Sequence, residues 1–137
     1  MMLIDDFGVL LRMARGQPNQ GTHAEKLQAF YEPQAERYDA FREDMLHGRA
    51  ALVNRLNIRP GNRMVELGGG TGRNIDFLSD RLQQLERYEL VDLCPALLEV
   101  ARTRAERNSN VSLVQADAAT WRPDQPVDIV LMSYSLT

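Results

Sequence analysis

The amino-acid sequence predicts an α/β domain built on an open parallel sheet, with a cap of helices before it. Apolar residues in the first 60 positions recur at helical spacing. From residue 63 onwards, short apolar runs alternate with amphipathic segments, which is typical of βαβ units. A glycine-rich turn follows the first of these runs. We therefore divide the chain into an N-terminal helical cap segment, residues 1–60, and a sheet-forming domain, residues 61–137.

Several helices are predicted in the cap segment. Residues 1–15 are apolar on one side and charged on the other, which predicts an amphipathic helix that packs on this chain or a partner, or lies on a membrane surface. After a linker of glycine, proline and amide residues, Thr22 and Glu25 form a capping-box sequence that starts the next helix. Two further apolar stripes predict helical stretches at 35–41 and 46–56.

The sheet-forming domain is predicted to contain four strands and two helices. We expect strands at 63–67, 88–91, 111–114 and 127–133, and helices at 71–82 and 95–107. Right-handed crossovers in a doubly wound sheet give the strand order 3-2-1-4. Ligands of such sheets bind outside the carboxyl ends of the strands, so the residues that follow each strand are the candidates for a site.

Composition and charge narrow the functional classes. With a net charge of −3 and no apolar run near the ~20 residues that span a bilayer, the chain is expected to have no nucleic-acid partner and no membrane span. Cys94 is the only cysteine and the two histidines are far apart in the sequence, which excludes an internal disulfide and a thiolate metal cluster. We expect a cytoplasmic protein without a metal site.

A glycine-rich turn, Glu66-Leu67-Gly68-Gly69-Gly70-Thr71-Gly72, joins the first predicted strand to its helix. Glycine lets the backbone approach a ligand, and the helix that follows presents free N–H groups. A dinucleotide fingerprint starting at Gly68 would need glycine where the chain has Arg73, and the Gly-Lys-Ser/Thr sequence of ATP-binding loops is absent. The turn by itself predicts either a site for another ligand or a plain strand-to-helix connection.

The motif Glu-x-Gly-x-Gly-x-Gly at 66–72 resembles that of the class I S-adenosylmethionine-dependent methyltransferases, and the resemblance extends over roughly residues 30–137. Further matches follow in the expected order: Asp92 at the end of the second strand, Asp117 after the third, and Val-Asp-Ile-Val at 127–130. The resemblance implies a Rossmann-like fold, of which residues 61–137 are the N-terminal half. It also implies methyl transfer as the activity and S-adenosyl-L-methionine as the cofactor.

The same resemblance assigns roles to the matching residues. Asp92 accepts hydrogen bonds from the ribose hydroxyls, and a carboxylate suits a diol because its two oxygens receive both protons. Asp117 accepts from the adenine amino group, and the N–H of Ala118 faces a ring nitrogen. Asp92 as a helix cap and Asp117 as a turn residue stay open as alternatives. The other cofactor contacts expected around the turn and the strand ends are Gly68, Gly69, Gly70, Leu93 and Ser133.

Glu66 is expected near the methionine end of the cofactor, where its charge complements the ammonium group, or beneath the glycine loop as an orienting residue. Tyr31 and Tyr38 resemble the aromatic segment that folds over the cofactor in related enzymes, with core packing as the alternative. Because methyl transfer from a sulfonium depends mainly on positioning and exclusion of water, no catalytic acid–base pair is expected. Tyr31 and Tyr134 are the candidates for positioning the acceptor.

The sequence also supports predictions for three other side chains. Arg42 and Arg49 can bind an acceptor's carboxylate or phosphate, but a solvated helix face is the more common position for such residues. Cys94 stands where the family often has serine or threonine, so the helix after it is expected to lack a good N-cap.

Residues 31–42 and 134–137 resemble segments of the bacterial betaine-lipid enzymes that N-methylate diacylglycerylhomoserine. This predicts an amine nitrogen of a lipid headgroup as the acceptor; another small molecule or a quinone precursor is the alternative within the enzyme class. Contact through residues 1–15 would place the protein at the inner face of the membrane. A noncatalytic cofactor-binding or interaction module is the alternative from another class.

The chain ends shortly after the fourth predicted strand. Ile129 and Leu131 on one side and Val130 and Met132 on the other predict a strand buried on both faces. Such a strand at an open edge predicts a homo-oligomer that covers the edge, or a fragment of a longer enzyme. We accordingly expect little methyl transfer from the 137-residue chain alone.

Overall fold

The computed structural model describes residues 11, 14–35 and 37–135, so the amphipathic helix predicted at 1–15 lies largely outside the described residues. The cap contains three helices, α1 (His23–Tyr31), α2 (Tyr38–Met45) and α3 (Arg49–Asn54), with a short 3₁₀ turn, Glu32–Gln34, after α1. The predicted capping box is confirmed. The Thr22 N–H donates to Glu25 Oε2 at 2.7 Å, and the Glu25 N–H donates to Thr22 Oγ1 at 3.3 Å.

Four parallel strands follow the cap: β1 (Arg63–Leu67), β2 (Arg87–Asp92), β3 (Val111–Gln115) and β4 (Ile129–Leu131). Their order in the sheet is β3-β2-β1-β4, which confirms the predicted topology. Two helices connect them, α4 (Arg73–Leu78), which a 3₁₀ segment, Ser79–Gln84, extends, and α5 (Pro95–Ala105). The carboxyl ends of all four strands therefore meet at one edge of the sheet.

Two groups of buried side chains hold the elements together. The main core joins the sheet to α3, α4 and α5, with Val53, Met64, Leu78, Leu90 and Ala101 among its buried members. A smaller group joins the cap to α5, where Ala35 is buried against Cys94 and Leu97, with Leu27 and Tyr31 beside them. Since burial of apolar surface is the main stabilising term, this second group fixes α1 next to the carboxyl end of β2.

The helix predicted at 71–82 is interrupted. It begins as α4 after Gly72 and ends at Leu78, because Ser79, with a φ of 50° and a ψ of −133°, lies outside the α-helical range. A 3₁₀ segment replaces its last turn. Apolar periodicity did not reveal this break, because Leu78 and Leu82 remain buried on both sides of it.

The fourth strand differs from its prediction in length and in burial. It spans Ile129–Leu131, and it pairs with β1 alone among the described residues. Leu131 faces the core, but Val130 and Met132 are 56% and 44% exposed. The prediction of burial on both faces is therefore wrong for the described structure, because no described element packs on the side where Val130 and Met132 lie.

No helix in the described ranges is both long enough and apolar enough to cross a membrane.

Candidate functional site

A cavity of about 430 Å³ lies at the carboxyl ends of the four strands. This volume falls within the range of small-molecule sites, roughly 300–1,000 Å³. Its walls are the loop after β1, the residues that follow the other three strands, and parts of the cap. The structure brings most of the predicted site residues to this cavity, namely Tyr31, Gly68, Gly69, Gly70, Asp92, Leu93, Asp117, Ala118, Ser133 and Tyr134.

Glu66 and Tyr38 are the two remaining predicted residues. Tyr38 begins α2, and its side chain lies outside the described part of the structure. Glu66 is 1% exposed and does not line the cavity. Its carboxylate accepts from Asn74 Nδ2 at 2.6 Å and from the Tyr88 hydroxyl, so it lies beneath the glycine loop and connects β1 to α4 and β2.

The glycine loop lies close against the segment that follows β4. Gly68 has a φ of +68°, and a Cβ at this position would lie 2.5 Å from the Cβ of Ser135. Both the backbone conformation and the close approach require glycine here. The Gly68 N–H donates to the Val91 carbonyl at 2.8 Å, which fixes the loop to the end of β2.

Asp92 links the loop to the second strand. Its Oδ2 accepts from the Gly70 N–H and its Oδ1 from the Cys94 N–H, both at 2.8 Å. Burial raises the pKa of Asp92, and the bonds from these backbone N–H groups act in the opposite direction. Because each carboxylate oxygen has two lone pairs, Asp92 retains acceptor capacity toward the cavity that it lines.

Asp117 forms a turn after β3, the strand next to β2. Its Oδ1 accepts from the Ala119 N–H at 2.9 Å, and its carbonyl accepts from the N–H of Trp121 at 2.8 Å. The turn role kept as an alternative is therefore present in the structure. This turn presents Asp117 and Ala118 together on the cavity wall.

The segment after β4 contacts the cap. The Tyr134 hydroxyl donates to the His47 carbonyl, and the Tyr134 carbonyl accepts from Arg42 Nη2 at 3.1 Å. The Arg42 guanidinium also lies 5.9 Å from the centre of the Tyr134 ring. These contacts close the cavity between the cap and the fourth strand.

Sequence reasoning missed the residues that tie α2 to the glycine loop. Asp39 accepts from the Thr71 hydroxyl and forms an ion pair with Arg104 at 2.9 Å, while Glu43 pairs with Arg73. Asp39 and Glu43 are one helical turn apart, so an acidic stripe on α2 was the available signal. Their partners lie some 30 to 65 residues further along the chain, a separation that spacing does not reveal.

Of two expectations about single side chains, one is wrong and one is confirmed. Arg49 does not lie on a solvated helix face: it is 7% exposed and lines the cavity. The expectation for Cys94 is confirmed: it is the N-cap residue of α5, and its side chain makes no capping hydrogen bond. Gln28 of α1 takes this place, because its Oε1 accepts from the Ala96 N–H at 3.0 Å. Gln28 was not identified from the sequence, since a capping residue from another helix leaves no local pattern.

The geometry therefore combines a close-lying backbone loop, two carboxylates from neighbouring strands and a wall of cap residues around one cavity. Carboxylates and backbone N–H groups arranged in this way suit a ligand with hydroxyl and amino groups, such as a nucleoside. No group of three or more His, Cys, Asp or Glu residues within the described ranges is arranged to hold a metal ion.

Comparison with known proteins identifies the family. Residues 64–137 match the family described as "Methyltransferase domain". The chain belongs to this family. Its sheet order and fold neighbours are those of S-adenosylmethionine-dependent methyltransferases, which confirms the predicted fold and family; S-adenosylmethionine is the cofactor of that family.

Individual relatives of this methyltransferase domain differ in their reactions. It is 31% identical over 93 residues to trans-aconitate 2-methyltransferase of Methylobacterium radiotolerans, an alignment that covers 68% of this chain and 34% of that protein. It is 29% identical over 121 residues to the ubiquinone/menaquinone biosynthesis C-methyltransferase UbiE of Hydrogenovibrio crunogenus, covering 81% of this chain and 47% of that protein. The chain thus spans between a third and a half of the length of these relatives.

A solved structure agrees with the methyltransferase fold. The S-adenosylmethionine-dependent methyltransferase from Thiobacillus denitrificans, in complex with S-adenosyl-L-homocysteine, is 25% identical with a TM-score of 0.53, covering 65% of this chain and 36% of that one.

Proposed function

We propose that the cavity binds S-adenosyl-L-methionine and that the protein transfers its methyl group to a small-molecule or lipid-headgroup acceptor. The observation that carries this proposal is the convergence of the glycine loop, Asp92 and Asp117 on one cavity at the strand ends. The similar Thiobacillus denitrificans enzyme, which was solved with S-adenosyl-L-homocysteine, supports the same ligand class.

In this proposal each part of the cavity has its own role. Asp92 accepts from the ribose hydroxyls, and Asp117 accepts from the adenine amino group while the Ala118 N–H faces the ring. Leu93 and Ser133 complete the walls on either side of the loop. Glu66 acts indirectly, because its bond to Asn74 in the first turn of α4 orients the loop.

The cofactor supplies a methyl group bound to a positively charged sulfur. The protein's contribution is to hold an acceptor in line with that bond and to exclude water. Tyr31 and Tyr134 line the cavity, and their ring faces can stabilise a cationic nitrogen that carries the incoming methyl group. An amine acceptor must first lose a proton, and solvent at the open side can take it.

For the acceptor we favour an amine nitrogen of a lipid headgroup of the diacylglycerylhomoserine type. The resemblance of residues 31–42 and 134–137 supports it, as does the aromatic lining, and residues 1–15 would supply contact with the membrane surface. The second candidate is a quinone precursor, favoured by the similarity to ubiquinone/menaquinone biosynthesis C-methyltransferases and to a demethylmenaquinone methyltransferase, at 25% to 32% identity.

A binding experiment distinguishes the two acceptors. The protein is saturated with S-adenosylhomocysteine and mixed with matched detergent micelles that contain diacylglycerylhomoserine, demethylmenaquinone or no addition. We expect co-sedimentation with the first micelles only. Equal binding to all three would contradict a specific acceptor, and selective binding to the demethylmenaquinone micelles would transfer the proposal to the quinone precursor.

Replacing Asp92 with alanine tests the cofactor site. Asp92→Ala should weaken S-adenosylmethionine binding by about 1–3 kcal/mol, the range for loss of charge-assisted hydrogen bonds, measured by isothermal titration calorimetry. The variant also loses the acceptor that holds Gly70 at 2.8 Å, which acts in the same direction.

The matched control is Asp124→Ala, which removes an exposed carboxylate outside the cavity. Its affinity should equal that of the wild type. Unchanged affinity in a folded Asp92→Ala protein, with folding checked by circular dichroism, would remove Asp92 from the ribose role.

A further inference from the structure

Arg49 is a buried cation on the wall of the cavity. Gly48, in a left-handed conformation with a φ of 100°, directs the chain into α3, and Arg49 is its first residue. The residue is 7% exposed, and its Nε has no hydrogen-bond partner among the described residues. A buried charge without a partner destabilises a protein, so a buried guanidinium is stabilised when a negatively charged group lies opposite it.

The carboxylates whose charges affect the pKa of Arg49 are already bonded to other groups. Burial is the largest cause that lowers the pKa of Arg49, and the positive charge of Arg42 acts in the same direction. Glu66, Asp39 and Glu43 oppose this shift without cancelling it. Glu66 accepts from Asn74 and Tyr88.

The other two are likewise committed: Asp39 pairs with Arg104, and Glu43 pairs with Arg73. Within the described residues, therefore, no carboxylate forms an ion pair with the Arg49 guanidinium.

Two neutral polar groups on the same wall also lack partners. The hydroxyls of Ser133 and Ser135 are buried and make no hydrogen bond within the described chain, and both residues line the cavity together with Arg49. A hydroxyl donates readily to an oxyanion, and a guanidinium binds one with two parallel bonds. Unmatched donors of both kinds thus line the same cavity.

The sheet order places Ser133 and Ser135 away from the end of the cavity where, in the proposed function, Asp92 and Asp117 bind the nucleoside of the cofactor. Ser133 and Ser135 follow β4, whereas Asp92 ends β2 and Asp117 follows β3. In the order β3-β2-β1-β4, the end of β4 is two strand spacings from β2, about 10 Å, and about 14 Å from β3. Arg49 lies on this side as well, because the carbonyl of His47, two residues before it, accepts from the Tyr134 hydroxyl. The donors consequently lie at the end of the cavity where an acceptor approaches.

We propose that Arg49, with Ser133 and Ser135 beside it, binds a carboxylate of the acceptor and so selects acceptors that carry an anionic group close to the methylated atom. This inference rests on the proposed function and specifies its substrate class. The amino-acid headgroup of diacylglycerylhomoserine carries such a carboxylate next to its amine. An uncharged quinone ring offers none.

The test compares two ligands that differ only in the carboxylate. Protein saturated with S-adenosylhomocysteine is titrated calorimetrically with O-octyl-L-homoserine and with its carboxamide. Wild-type protein should bind the carboxylate at least ~10-fold more tightly than the amide, equivalent to about 1.4 kcal/mol.

In Arg49→Gln the preference should fall to roughly threefold or less, because the charged, forked donor is lost. Arg49→Lys retains the charge and should give an intermediate preference, which keeps the test available if the glutamine variant does not fold. Arg55→Gln is the matched control: it alters an exposed arginine that follows the same helix and lies outside the cavity, and the full preference should persist.

Three results would overturn the inference. The first is a wild-type protein that does not distinguish carboxylate from amide, and the second is an Arg49→Gln variant that keeps the preference. The third is an Arg49→Gln variant that loses affinity for S-adenosylmethionine but not for its decarboxylated analogue, which would assign the arginine to the cofactor. Failure of the proposed function shows separately, as absence of S-adenosylhomocysteine binding to the wild type.

Discussion

Gly69→Ala should destabilise the domain by about 3 kcal/mol, at the upper end of the usual cost of overpacking a core. A Cβ on Gly69 would lie 2.4 Å from Cγ of Leu90 and 2.9 Å from each of its Cδ atoms. Leu90 is fully buried in the main core, so it has no room to retreat. The expected measurement is a lower midpoint of urea unfolding with an unchanged slope.

A double-mutant cycle identifies the clash as the cause. Leu90→Ala alone should cost about 2–5 kcal/mol, but Gly69→Ala added to it should cost less than about 1 kcal/mol, since the cavity accommodates the new methyl group. Gly61→Ala provides the comparison for backbone strain alone, because Gly61 has a φ of +84° and no atom within 4 Å of a Cβ. Additive costs for Gly69 and Leu90 would show that the steric account is wrong.

The sheet could be predicted because its signals are local. The first three strands agree with prediction to within one residue at each end, since each is an apolar run bounded by turn or charged residues. Their order follows from right-handed crossovers, which leave few alternatives. The fourth strand also lies where it was expected, but the exposure of Val130 depends on what packs against it, and alternation of residues does not specify that.

The strand ends of the cavity could be predicted, whereas in the cap Tyr31 was predicted to line the cavity but Arg49 and Asp39 were not. Asp92 ends β2 and Asp117 lies two residues after β3, so the fold brings them together whatever the rest of the chain does. Arg49 and Asp39 reach the cavity only through the packing of α2 and α3, which long-range pairs such as Asp39 with Arg104 determine. A charged residue on a short helix is usually solvated, and that general tendency gave the wrong environment for Arg49.

For Glu66, the sequence predicted a place in the glycine motif but not the hydrogen-bond partners of its side chain. Its position in the glycine motif predicts proximity to the cofactor, but its hydrogen bonds run to Tyr88 on β2 and to Asn74 on α4. Tyr88 is fully buried, and its hydroxyl needs a partner there. The register that pairs β1 with β2 brings the two side chains together, and no spacing within the chain reveals that register.

Substitution of Glu66 by glutamine should remove a pH dependence of stability. Burial is the largest cause that raises the pKa of Glu66, from 4.5 to about 7, against the hydrogen bonds from Tyr88 and Asn74, which lower it. Between these two values the folded protein binds more protons at Glu66 than the unfolded chain does. The free energy of unfolding therefore falls as the pH rises through this window, and is constant with respect to this group above about pH 7.

At 1.36 kcal/mol per pH unit, the full change amounts to roughly 3 kcal/mol. Glu66→Gln cannot ionise, and its amide retains an oxygen for Asn74 and can donate to the Tyr88 oxygen, which accepts as well as donates. The stability of Glu66→Gln relative to the wild type should accordingly improve by roughly 3 kcal/mol between pH 4.5 and pH 8, measured by urea unfolding at each pH.

Glu99→Gln, whose wild-type side chain is 72% exposed on α5, should follow the wild-type curve to within the ~1 kcal/mol of a surface ion pair. Parallel curves for Glu66→Gln and the wild type would mean that Glu66 ionises normally in the fold, and that its bonds to Tyr88 and Asn74 fully offset its burial.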